Sequence, residues 1–191
     1  MTHVATHLAG GDGTTQSAMQ KIKDDLQQLQ TSQIDLLLLH FPCEKQEQNK
    51  AVWKALQMAH SVDLARAIGV SNFAKADLDA VASLGGQQPA LNQCSMSIGS
   101  HDDATIKLCK SRNITYEAYS PLRHVDLGDK RIATVAAAHN KSAAVVALKW
   151  IAQQDIVVAT SPGTNPEYVA EDLALPSFTL SEEEMATLAK I

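Results

Sequence analysis

Residues 34–42 read Ile34-Asp35-Leu36-Leu37-Leu38-Leu39-His40-Phe41-Pro42. Five of the first six side chains are aliphatic, with no alternation of polar and apolar positions. A strand buried on both faces reads this way, and such strands belong to parallel sheets covered by helices. The run stops at a histidine followed by an aromatic residue and a proline. The same punctuation recurs down the chain. Ala67-Ile68 leads into Gly69-Val70-Ser71-Asn72-Phe73, Pro89-Ala90-Leu91 into Asn92-Gln93, and Ile114 to Glu117 into Ala118-Tyr119-Ser120-Pro121-Leu122. Parallel α/β folds bind ligands at the carboxyl ends of their strands. Four polar motifs placed there, in order, imply one shared pocket.

Between these motifs the apolar spacing changes from strand-like to helical. Ser17 to Gln30 predicts a helix, with Met19, Ile22, Leu26 and Leu29 on its apolar face. Glu47 to His60 predicts a second helix, with Val52, Leu56 and Ala59 turned inward. Lys75 to Leu84 predicts a third, stopped by Gly85-Gly86. Further helices are expected near Asp102 to Arg112, over Lys130 to His139, and over Ala143 to Gln153 behind a Ser142 cap. Thr164-Asn165-Pro166-Glu167 opens another, with proline in its first turn. Ser181-Glu182-Glu183-Glu184 is a capping box for the last. Strands are expected near Met1 to His7, at Ile34 to Leu39, Ala67 to Val70, Ala90 to Asn92, Ile114 to Ala118 and Ile156 to Ala159. Strands that alternate with helices imply a parallel sheet. Periodicity alone leaves an open sheet and a closed barrel as alternatives.

Composition narrows the classes. The chain has 191 residues, 45% of them hydrophobic, and a net charge of −5. That suits one globular domain over residues 1–191. No basic stripe suggests nucleic acid, no apolar run is long enough for a bilayer, and no secretory leader is visible. Cys43, Cys94 and Cys109 lack metal-site spacing and are odd in number. Free thiols in the cytoplasm are the expectation. Gly10-Gly11-Asp12-Gly13 lacks the Lys-Ser or Lys-Thr of a phosphate loop, and His3 and His7 have no nearby acids to complete a metal site.

In their order and spacing, the four strand-end motifs resemble the aldo-keto reductases, from about Val4 to the end of the chain. That resemblance implies a (β/α)₈ TIM barrel that reduces aldehydes or ketones with a nicotinamide cofactor. NADP(H) is the expected cofactor, and NAD(H) the other candidate. A complete barrel takes roughly 200 to 250 residues or more. The alignment begins at the family's third strand. The expectation is therefore a partial barrel, about six of eight βα units, truncated at the N-terminus with the first two strands missing. Open sheet edges would then invite oligomers or aggregates.

The resemblance assigns roles residue by residue. His40 would orient the substrate carbonyl; the alternative is a ring packed beside Phe41 and Trp53. Ser71, Asn72 and Gln93 would bind the nicotinamide carboxamide, whose acceptor and donors match hydroxyl and amide groups. The alternative for Ser71 and Asn72 is capping the next helix. Tyr119 would stack on the nicotinamide ring, or be a core tyrosine with a bonded hydroxyl. Ser120, Leu122, His124 and Asp126 match positions around the pyrophosphate, and Glu171 and Asp172 match an adenine-contacting pair. Ser161 falls near the family's lysine for the 2′-phosphate, and Tyr168 near its arginine. Losing both cations would cost charge-assisted hydrogen bonds of about 1.5 to 3 kcal/mol each.

The family's proton donor is a tyrosine supported by an aspartate and a lysine. In this alignment the aspartate and tyrosine precede Met1, and His7 stands at the lysine position. The chain is accordingly expected to be a weak or inactive reductase of small carbonyl compounds. The alternative is a non-catalytic barrel remnant that binds nucleotide or a protein partner.

Overall fold

The computed structural model describes residues 3–6, 13–161 and 163–191. His7 and the glycines at 10 and 11 lie outside them. The chain forms two compact units, Met1–Gln93 with Ala104–Thr115, and Cys94–Asp103 with Tyr116–Ile191.

The first unit begins with β1 (His3–Thr6), α1 (Thr15–Gln28), β2 (Ile34–Leu39), α2 (Gln46–Ser61), β3 (Ala65–Ser71) and α3 (Lys75–Ala82). β4 (Leu91–Ser95) and α4 (Asp103–Ser111) run across the division, β4 with Leu91 to Gln93 and α4 with all but Asp103 in this unit. β1, β2, β3 and β4 pair in sequence order, each parallel to the next. β2 is the strand quoted above, with the same bounds, and every residue but Asp35 is buried. Side chains alternate faces along a strand. Leu36 and Leu38 therefore share one face, where they cluster with Leu91 and Ala67. Gly69 lies opposite Leu38 in this ladder. A Cβ there would sit 2.6 Å from the Leu91 carbonyl oxygen and 2.7 Å from Leu38 Cδ2. The glycine is what lets β2 and β4 flank β3 closely.

Helices cover this ladder, α1 packing on α2 and α2 on α3 and β3. Val52, Leu56 and Ala59 are fully buried, as their spacing predicts, and Trp53 joins them. In α1 the inward stripe differs from expectation. Ala18, Ile22 and Leu26 are buried, each four residues from the next. Leu29 lies beyond the last turn as the C-cap and is 44% exposed. α3 stops at Ala82 with Ser83 as its C-cap, two residues short of the expected Leu84. Gly85 and Gly86 follow at φ +69° and +73°, a region glycine enters without strain.

The second unit holds β5 (Thr115–Tyr119), α5 (Lys130–His139), α6 (Ala143–Ala152), β6 (Val157–Ala159), α7 (Pro166–Leu173) and α8 (Glu182–Leu188). β5 and β6 are parallel, with Tyr119 opposite Ala159. α6 is the unit's apolar spine, with Val145 to Leu148, Trp150 and Ile151 buried. Its N-cap is Ser142, whose hydroxyl accepts from the Val145 N–H. Gln153 binds the backbone of Leu180 twice, donating at 2.7 Å and accepting at 2.8 Å. Trp150 Nε1 donates to the Met185 carbonyl at 3.2 Å. These bonds hold the C-terminal segment on α6. No helix among the described residues is long and apolar enough to cross a membrane.

Candidate functional site

In the first unit, the ends of β2 and β3 and the middle of β4 are tied in one hydrogen-bonded knot. Ser71 ends β3 opposite Gln93 of β4. The Ser71 hydroxyl donates to the Gln93 carbonyl at 2.8 Å, and the Asn72 N–H donates to the same oxygen at 2.8 Å. Asn72 Nδ2 then donates to the His40 carbonyl at 3.1 Å and to Ser71 Oγ at 3.0 Å. Three chain segments far apart in sequence are thereby fixed around one amide side chain. Both N–H groups of that amide go to the protein, which fixes the orientation of its plane.

Neither Ser71 nor Asn72 caps α3. That helix starts after Ala74, whose N–H donates to Asp77 Oδ2 at 3.1 Å. Asn72 instead adopts φ +62°, a left-handed conformation that asparagine tolerates better than most residues. Ser71 is fully buried while Asn72, Gln93 and His40 are half-buried. Ser71 can thus act on a ligand only through Asn72 and Gln93. The His40 ring lies 4.5 Å from that of Phe41, tilted by 32°. Trp53 is fully buried and donates from Nε1 to the Gln87 carbonyl.

Two buried asparagines complete the knot's support. Asn92 is fully buried; its Nδ2 donates to the Phe73 carbonyl at 2.8 Å and its Oδ1 accepts from the Phe73 N–H at 3.3 Å. It clamps the loop that carries Asn72. Asn49 is also fully buried, and its Oδ1 accepts from the Cys43 N–H at 2.7 Å, fixing the loop after His40. Burial pushes the Cys43 thiol above the ordinary thiol range. Asn92 stands in one of the strand-end motifs, though nothing in that motif marks it as a clamp on Phe73; Asn49 stands among Glu47, Gln48 and Lys50 and carries no sequence signal of burial. Once buried, an amide must find partners.

In the second unit, Tyr119 is the last residue of β5 and is half-buried. Ser120 follows at φ +55° and its carbonyl accepts from the Arg123 N–H, forming a turn. Asp126 is exposed, and its Oδ1 accepts from the Gly128 N–H at 2.9 Å. Its carboxylate therefore shapes its own loop. A cavity of about 710 Å³ lies beyond this loop, lined by Leu122, Ser142, Ser161, Tyr168, Glu171 and Asp172, among others. Four candidate residues from three separate segments, Leu122, Ser161, Glu171 and Asp172, meet in it. Its size falls in the ordinary range of small-molecule pockets, about 300 to 1,000 Å³. Glu171 accepts from the Ser142 hydroxyl at 2.9 Å, which places a carboxylate at the N-terminus of α6. Burial, then the Glu171 charge, raises the pKa of Asp172 above the usual aspartate value.

The chain has relatives among known proteins. A sequence model described as the Aldo/keto reductase family matches residues 2–128. Morphine 6-dehydrogenase of Pseudomonas putida is 32% identical over 202 residues, covering 98% of this chain and 68% of the relative. An aldo-keto reductase of Mycolicibacterium smegmatis is 34% identical over 187 residues, covering 97% and 66%. A mutant of Gox0644, solved in complex with NADPH, superposes with a TM-score of 0.89 at 27% identity, covering 97% of this chain and 69% of that one. The chain thus spans about two thirds of the length of these relatives. Its architecture is α/β, six βα units of a (β/α)₈ barrel.

Proposed function

Since the chain belongs to the aldo/keto reductase family, we propose that it binds a reduced nicotinamide dinucleotide and serves the reduction of small aldehydes or ketones. What supports this most directly is the knot joining His40, Ser71, Asn72 and Gln93 at the ends of neighbouring parallel strands. The donors and acceptors present fit the cofactor. The amides of Asn72 and Gln93 match in kind the donors and the acceptor of the nicotinamide carboxamide. Ser71, fully buried, is a positioning residue that fixes the Asn72 amide. Bound, the reduced nicotinamide supplies the hydride. His40 polarises the substrate carbonyl from the end of β2. Alignment of this kind supplies much of the rate in such reactions, and a displacement of about 1 Å can cost roughly 10²-fold.

Turnover by the 191-residue chain is proposed to be slow. A positioned general acid typically contributes about 10² to 10⁴-fold. The described tyrosines do not replace the family's donor on their surroundings. Tyr116 is buried, Tyr119 ends β5, and Tyr168 lines the second unit's cavity. The test is a titration of reduced dinucleotide, followed by an assay of aldehyde reduction read from loss of nicotinamide absorbance. Saturable binding with slow turnover is expected. Fast turnover abolished by His40→Ala would show that these residues suffice for acid catalysis, and the absence of any dinucleotide binding would remove the reading.

A further inference from the structure

Resting on the cofactor reading above, we propose that the cavity of the second unit selects the unphosphorylated dinucleotide, NAD(H), over its 2′-phosphate, and that Ser161, Tyr168 and Glu171 set this choice. No lysine or arginine is among the described residues that line the cavity. Among those described residues the charged groups are the carboxylates of Glu171 and Asp172. A ribose with free hydroxyls donates hydrogen bonds to carboxylates, whereas a 2′-phosphate calls for a cation such as arginine.

The cavity also borders the N-terminus of α6 at Ser142, Ala143 and Ala144, a ten-residue helix. Free N–H groups at such an end ordinarily favour an anion. Here Glu171 already holds that position, bonded to the Ser142 hydroxyl at 2.9 Å. A phosphate would meet a carboxylate where it would otherwise meet a helix end. Two lysines on or beside α6 have partners of their own. Lys141 donates to Ser177 Oγ at 3.3 Å and lies 5.5 Å from the centre of the Phe178 ring. Lys149 donates to the Leu175 carbonyl at 3.0 Å and lies 5.3 Å from the same ring. The apolar walls, Leu122 and the Tyr168 ring among them, suit an adenine base.

The experiment measures Kd for NADH and NADPH, and for ADP-ribose and its 2′-phosphate, by calorimetry on the 191-residue chain. NADH is expected to bind at least about tenfold more tightly than NADPH at low salt, a difference of about 1.4 kcal/mol. ADP-ribose should lead its 2′-phosphate by a similar factor. The gap should narrow as salt rises, because charge repulsion is screened and steric exclusion is not. Ser161 and Tyr168 are exposed, so Ser161→Lys with Tyr168→Arg should leave the fold intact and move the preference toward NADPH. Glu171→Gln keeps an acceptor for Ser142 and should narrow the gap without reversing it. Equal or tighter binding of NADPH by the unaltered chain would overturn the selectivity while leaving the cofactor reading intact. Binding of neither dinucleotide would overturn both.

Discussion

Ser71→Ala removes one hydroxyl from the centre of the proposed site. That hydroxyl donates to the Gln93 carbonyl at 2.8 Å and accepts from Asn72 Nδ2 at 3.0 Å. Each partner atom keeps one other bond, and the Asn72 N–H that is released belongs to a half-buried side chain. The Gln93 carbonyl keeps the Asn72 N–H at 2.8 Å, and Asn72 Nδ2 keeps the His40 carbonyl at 3.1 Å. The cost is therefore the net worth of two hydrogen bonds, about 0.5 to 1.5 kcal/mol each, without the larger penalty of an orphaned buried group. A total near 1 to 2 kcal/mol is expected, since a fully buried site loses only one oxygen atom. Urea unfolding read by tryptophan fluorescence measures it, with the midpoint falling and the slope unchanged. The Asn72 amide, released from one of its two tethers, should then bind dinucleotide several-fold more weakly. Unchanged stability together with complete loss of binding would refute this reasoning, because it would mean that the hydroxyl touches the cofactor itself.

Asn92→Ala leaves the N–H and C=O of the buried Phe73 without their side-chain partner, so about 2 to 5 kcal/mol of stability should be lost in the same urea assay. Gly69→Ala drives a methyl group against the Leu91 carbonyl and Leu38, and should cost about 1 to 3 kcal/mol, read as a lowered melting temperature. Asp129 caps α5, and its hydrogen bonds to Arg131 hold its carboxyl at about 2, below its ordinary 3.8. With the folded pKa depressed, its stabilising contribution is fully present above the ordinary value and is lost as pH falls from about 4 toward 2. Asp129→Asn should flatten that part of an acid titration followed by circular dichroism.

Elements whose cause is local were legible in the sequence. β2 is an aliphatic run with a polar stop, and the structure gives it the same ends. Ser142 and Ser181 cap α6 and α8 because a hydroxyl one residue before a helix satisfies N–H groups that the helix cannot. Features caused by pairing between distant segments were not legible. Asn92 and Gln93 read as the residues that close a strand, yet β4 continues through Ser95, its register set by the partner strand β3. Leu29 satisfies the helical period of α1, yet the helix ends before it can turn inward. The motif containing Ser71, Asn72 and Gln93 could be found by its order and residue types. That Ser71 is buried and serves Asn72 depends on a bond across 22 positions of sequence, which no local pattern encodes. The support from Asn92 is hidden for the same reason, since its backbone partner Phe73 lies on another segment.

The claim that this chain holds a nicotinamide dinucleotide through the Asn72 amide is tested most directly by the fluorescence of bound reduced cofactor. Reduced dinucleotide is titrated into the 191-residue chain and into Asn72→Asp, which tolerates the same left-handed backbone but lacks the N–H groups that reach His40 and Ser71. The account predicts saturable, enhanced nicotinamide emission with the unaltered chain, and binding weakened at least about tenfold in the variant, while ADP-ribose binds both alike. Equal affinity of the two proteins for the reduced dinucleotide would contradict it.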